Sequence, residues 1–246
     1  MRRLGIALVL AVSLSACVQT KQYADLQFTP PSGDYDLIVM RPDVSVGSLR
    51  TGGLVEPRAD WTEQARGHLI EALKAQQGSR GGNVRILETR DGLDGVDPDT
   101  IAQLERLHNA VGNSIAIHKY LGATLPNKRK KGLDYTLGQQ AVSFGEATGY
   151  DYALFMYAED SIASTGRVLL NVAGVAGCFI GFCAPGVGFG RQTAYASLVD
   201  LKTGEVVWFN LLVSQQGDIR TQDGAAKMVE RLLGRMKPGK AIKDAQ

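Results

Sequence analysis

The chain has 246 residues, 44% hydrophobic and 21% charged, which excludes a disordered or fibrous protein and describes an ordinary globular one. Its formal charge of +2 comes from the extreme N-terminus, because the 27 Lys and Arg, less Arg2 and Arg3, balance the 25 Asp and Glu. A remainder so balanced carries no electrostatic footprint for nucleic acid.

Arg2 and Arg3 precede the apolar run Leu4 to Leu14, which leads into Leu14-Ser15-Ala16-Cys17. A basic start, an apolar core well short of the ~20 residues of a spanning helix, and small residues before a cleavage point predict a secretory signal over residues 1–16. The alternatives are a buried N-terminal helix or an anchor that stays uncut. With Cys after the small residues, the segment resembles a bacterial lipoprotein signal. That resemblance implies that Cys17 becomes the lipidated first residue and holds the protein to a membrane. Val18 stands where an Asp marks retention in the inner membrane, which implies the periplasmic face of the outer membrane. About 230 residues remain after cleavage, enough for one sizeable domain.

Residues 17–34 read as the lipidated N-terminus and a tether, because Thr29-Pro30-Pro31-Ser32-Gly33 suits neither helix nor central strand. The domain is expected over residues 35–237. Tyr35 to Met40 reads as a buried strand ended by Pro42, and residues 43–57 as turn-rich. Asp60 and Glu63 have capping-box spacing, and Trp61, Ala65, Leu69 and Leu73 recur at helical period before Gly78. Val84 to Leu87 follows as a short strand. Asp97-Pro98 opens a long helix with Ile101, Leu104, Leu107, Val111 and Ile115 on one face, ending by Gly122.

Asn127-Lys128-Arg129-Lys130-Lys131 reads as a solvated turn, or as a contact for anionic headgroups or glycan. Asp134 is expected to cap a third helix, with Leu137, Ala141 and Phe144 inward and Gly149 at its end. Tyr150 to Ala158 is apolar on both parities and predicts a central strand. Ala194–Asp200 and Glu205–Asn210 predict a hairpin around Gly204. Ala225, Met228, Val229, Leu232, Leu233 and Met236 mark a last helix, and residues 238–246 a polar tail. The predicted fold is α/β (α+β), a mixed sheet of about five strands with helices packed on it, plus a Gly-rich apolar hairpin insertion.

That insertion, residues 168–190, holds no charged residue and is bounded by Arg167 and Arg191. Pro185 and its many glycines disfavour one helix. Three readings stand: a long hairpin continuing the strands on either side, an apolar loop docking on a partner or the membrane, and a bilayer-spanning element. Phe179, Ile180, Phe182, Val187 and Phe189 are the candidate interaction surface. Cys178 and Cys183 are spaced for a disulfide closing a tight loop in an oxidising compartment; two buried thiols are the alternative.

The sequence offers little for catalysis. His68, His108 and His118 all fall on predicted helices, as surface or boundary residues. No HExxH, CxxC or GxSxG motif occurs. Glu159 and Asp160 are adjacent on extended chain and point to opposite sides, as at a solvated strand end. Residues 234–241 approach a P-loop but lack its Ser or Thr and follow a helix, and Gly186, Gly188 and Gly190 precede no βαβ unit. No catalytic residue, cofactor or metal site is expected, and the chain reads as a non-enzyme.

Gly149-Tyr150-Asp151-Tyr152-Ala153-Leu154-Phe155, an apolar insertion, and then Ala196 to Trp208 with Asp200-Leu201-Lys202-Thr203-Gly204 resemble envelope lipoproteins of the CsgG and LpoB-like group. The resemblance implies a non-catalytic accessory or assembly factor that binds an envelope protein complex. Its alternative implication is a membrane-inserting subunit of a secretion or pore complex. Partners would be the membrane through Cys17 and an envelope protein or further copies of the chain, with no nucleic acid.

Overall fold

A computed structural model describes residues 21–24, 35–76, 83–123, 125, 133–178, 190–215, 217–234 and 236; for 21–24 and 175–178 it describes the backbone. The strands are β1 (Lys21–Ala24), β2 (Asp36–Val39), β3 (Asp43–Leu49), β4 (Val55–Pro57), β5 (Asn83–Ile86), β6 (Tyr152–Ala163), β7 (Gly190–Asp200) and β8 (Val206–Ser214). The helices are α1 (Ala59–Gln76), α2 (Pro98–Ile115), α3 (Gln139–Thr148), α4 (Thr165–Cys178) and α5 (Gln222–Leu233), with a π-helical turn Ala116–Tyr120 extending α2. The expected α+β class holds. Among the described residues the sheet has eight strands rather than about five, in the order β1-β8-β7-β6-β2-β5, with β3 on β6 and β4 on β3.

The extra strands have one cause. β6 is 12 residues long, more than β2 can pair with. β2 takes its first half in parallel, Leu37 opposite Tyr152 to Val39 opposite Leu154. After Arg41-Pro42, β3 takes the second half, Asp43 opposite Tyr157 to Leu49 opposite Ala163. The region read as turn-rich therefore holds β3 and β4. Arg66 fixes the crossing between β2 and β3 by donating to the carbonyls of Pro42 and Val44. β1 lies inside the segment read as tether and pairs antiparallel with β8, satisfying that strand's open edge.

Because β6 is central and covered on both faces, its residues alternate between two cores. Leu154, Met156 and Ala158 join α1 and α5 through Leu69, Leu73, Val229 and Leu232. Ala153 and Phe155 join α2 and α3 through Ile101, Leu104, Ala141 and Phe144. Three layers result, helices on both faces of one mixed sheet.

Local signals explain most element boundaries. The Asp97 carboxylate accepts from the Asp99 amide at 3.0 Å, and Pro98 opens α2, as expected. Gly149 ends α3 with φ +79°. Gly204 turns the β7–β8 hairpin with φ +74°. Two expectations fail by register. α1 starts at Ala59, ahead of Asp60, whose carboxylate takes the Arg58 guanidinium at 3.0 and 3.1 Å instead of capping. α3 starts at Gln139, well beyond Asp134, after Thr136 and Leu137 have bonded to Gly204.

The buried stripe of α2 is also rotated. Leu107 and Val111 are half-buried, while Glu105, His108 and Gly112 complete the stripe of Ile101, Leu104 and Ile115. Gly112 is required there, since a Cβ would lie 2.3 Å from a ring carbon of Tyr195. Beneath α2 an aromatic ladder crosses the sheet, Tyr157 on Tyr195 at 4.9 Å and Tyr195 on Phe209 at 5.6 Å.

Candidate functional site

The feature of the surface that packing does not explain is α4. It follows β6 after Ser164, whose carbonyl accepts from Val168 and whose hydroxyl accepts from Arg167. Ser164 is thus a favourable N-terminal cap, and Leu169 and Leu170 are good helix formers. Residues 168–178 of the insertion are therefore helix, not the first arm of a hairpin. The flanking strands β6 and β7 do pair antiparallel as far as Ile162 opposite Gly190, and from β6 the chain passes into the helix rather than into a longer strand.

The burial of α4 is inverted. Its polar Asn171 is 4% exposed, whereas Leu169 is 63% and Val172 58% exposed, with Val168 and Leu170 also outward. The neighbouring β3–β4 turn adds Leu54, 78% exposed, and the start of β4 adds Val55. Arg167 ties helix to turn by donating to the carbonyls of Arg50 at 3.0 Å and Thr51 at 3.4 Å. Several leucines and valines thus share one end of the molecule exposed among the described residues, the mark of an interaction surface.

The candidate residues Phe179, Ile180, Phe182, Val187, Phe189 and Cys183 lie outside the described residues, as do Cys17 and the basic run 127–131. Cys178 is the last residue of α4.

The ionisable groups inside the fold are committed to structure. His108, read as a surface or boundary residue, is buried, stacked on Phe155 at 4.6 Å and 2.8 Å from the Ser197 hydroxyl. Burial pushes its pKa down to about 3, so the ring is neutral. The phase of the α2 stripe was the signal that would have found it.

Glu159 and Asp160 do point apart, but only Glu159 is solvated. Asp160 lies on the core parity of β6, after Leu154, Met156 and Ala158. Its carboxylate accepts from the Gln192 amide at 2.8 Å and the Ile219 backbone at 3.2 Å. Burial raises its pKa to about 6, although these two bonds oppose the shift. It ties β6 and β7 to the loop before α5.

A groove of about 450 Å³ runs between α2 and α3, lined by Thr100, Gln103, Leu104, Gln140, Ser143 and Phe144 among others. Asp97 is the ionisable group on its wall, and its carboxylate caps α2. Trp61 is held between Arg58 at 4.6 Å and Arg220 at 4.2 Å, which are paired in turn with Asp60 and Asp218. Among the described residues no cluster of His, Cys, Asp or Glu could hold a metal ion, and no helix is long and apolar enough to cross a membrane.

No protein-family model matches the chain, and no curated protein matches it significantly. Solved structures similar in fold include bacterial lipoproteins. A PelC dodecamer from Paraburkholderia phytofirmans aligns at 12% identity and a TM-score of 0.37, over 87% of this chain and 97% of that one. A lipoprotein from Neisseria meningitidis aligns at 12% identity and 0.31, over 84% and 98%. The LpoB C-terminal domain from Salmonella enterica aligns at 14% identity and 0.27, over 76% and 88%. Similarity this shallow carries no argument about what the chain does, and it does not single out the CsgG group.

Proposed function

We propose that the protein is a non-catalytic lipoprotein, anchored through Cys17 to the periplasmic face of the outer membrane, that serves as an accessory or assembly factor for an envelope protein complex. The observation that carries this reading is α4, a helix with its leucines outward and its asparagine inward. Such a surface works by association, with a membrane or with a protein, rather than by catalysis. The buried His108 and Asp160 are engaged within the fold, and the α2–α3 groove offers amides and hydroxyls rather than an acid and base. The signal sequence supports the anchor, and Val18 supports the outer membrane. Insertion as a pore subunit gains no support from α4, whose 14 residues fall short of the ~20 of a spanning helix.

Cys17→Ser should move the protein from the membrane to the soluble periplasmic fraction with altered mobility. Full membrane retention at unchanged mobility rejects the anchor. Chemical cross-linking in intact cells should yield discrete adducts with envelope proteins from the anchored chain and lose them with Cys17→Ser. An anchored chain that gives none rejects the accessory role. Cys178 and Cys183 are proposed to be disulfide-bonded, so denatured, unreduced mature protein should show no free thiol at either position; two free thiols there refute the bond.

A further inference from the structure

The register of β1 fixes which end of the sheet meets the anchor. Lys21 lies opposite Val213 of β8, Val213 opposite Thr193 of β7, Thr193 opposite Glu159 of β6, and Glu159 opposite Ser45 of β3. β1 is antiparallel to β8 and so starts from the end where β8, β6 and β3 finish and β7 begins. α4 follows β6 at that end, and Leu54 of the β3–β4 turn and Val55, the first residue of β4, lie there. The sequence brings Cys17 within four residues of Lys21, a reach of at most ~14 Å. The β7–β8 turn lies at the other end of β7, roughly 34 Å away.

We propose that α4 and the β3–β4 turn rest on the surface of the bilayer that holds the anchor. The domain then meets the membrane twice, through acyl chains on Cys17 and through Leu54, Leu169, Leu170 and Val172. This rests on the reading of Cys17 as the lipid site. An acyl chain alone leaves a domain free to swing; an apolar contact beside it sets the attitude. A helix lying in the interface needs an apolar face toward the acyl boundary and is not required to span. α4 meets that requirement with residues that water would otherwise surround. Lys21, Arg50, Arg167 and Arg191 stand at the same end, against Glu56 and Glu159. The excess of positive charge adds an attraction to anionic headgroups that salt weakens, while the apolar contact persists in salt. The attitude points the β7–β8 turn, and the segment before α3 bonded to it by Thr136 and Leu137 at Gly204, into the periplasm, where a protein partner is met.

The test uses the full-length protein in living cells, with the photo-cross-linking residue p-benzoylphenylalanine in place of Leu54, Leu169 or Thr203. Leu54 and Leu169 are exposed in the apolar end and Thr203 in the opposite turn. After irradiation, peptides carrying position 54 or 169 should gain the mass of one phospholipid, and those carrying position 203 should not. A protein adduct at position 169 overturns the proposal in favour of a protein-binding face, and an adduct of the chain with itself in favour of a second copy. No adduct at 54 or 169 shows a face turned to water and overturns it equally. The N-terminal peptide of the same samples reports the anchor separately. Acylated Cys17 without lipid adducts removes the docking face alone. Unmodified Cys17 with lipid adducts at 169 removes the anchor and leaves the face standing.

Discussion

Asp160 and His108 are held out of water on opposite faces of the sheet, and their titrations pull stability in opposite directions. Asp160 has a folded pKa raised to about 6, chiefly by burial. Its neutral form fits the fold better, so its contribution is fully present below about pH 4 and is lost as pH rises through 6. His108 has a folded pKa lowered to about 3. Its contribution is present above about pH 6.5 and is lost as pH falls toward 3. Asp160→Asn keeps an oxygen for Gln192 and Ile219 and removes the charge. The stability gained by this variant should grow by about 2–3 kcal/mol between pH 4 and pH 7.5. Urea unfolding of both proteins at the two pH values measures this, and His108, common to both, cancels. A difference that stays flat with pH would show that Asp160 does not titrate in this window.

At the scale of the element, α4 is distinguished by what its side chains do not touch. Leu154 of β6 sits between helices α1 and α5, and truncating such a residue to Ala costs about 2–5 kcal/mol. Leu169 is mostly exposed, and Leu169→Asp should change stability by no more than about 0.5 kcal/mol. Thermal unfolding of the two variants in the absence of membrane makes the comparison. A loss for Leu169→Asp approaching that of Leu154→Ala would make α4 ordinary core, and the association reading would have to be given up. The inverted burial of Asn171 and Leu169 has no benefit in water alone, because transfer of apolar surface out of water is favourable.

For the whole molecule, β6 is the seam. It pairs in parallel with β2 and β3 on one edge and antiparallel with β7 on the other, so the open αβ half and the hairpin half share one strand. The helix layers seal both faces, which leaves the two ends of the sheet to carry function. The ends differ in chemistry. One has the polar β7–β8 turn, with Lys202 paired to Asp151 at 2.7 Å. The other has α4, Leu54 and the start of β1. If Cys17 is acylated as proposed, a domain with this asymmetry has an inherent orientation.

The sequence by itself determined the parts with local causes. Continuous apolar runs placed β2 and β6, and the hairpin signal around Gly204 placed β7 and β8; the Asp97-Pro98 pair started α2; Gly149 marked the stop of α3. The charge-free segment after Arg167 pointed to the apolar end. Tertiary structure decided what depends on distant partners. β3 exists because β6 outlasts β2, and β1 because β8 has an open edge. α4 is helical because Ser164 caps it where β6 ends, although its glycines read as turn or strand. Asp160 and His108 are buried because their positions share the parity of Met156 and the helical phase of Leu104. A polar side chain on a core-facing position is invisible to hydrophobic patterning, since its partners come from other elements, Gln192 and Ile219 for one and Ser197 for the other.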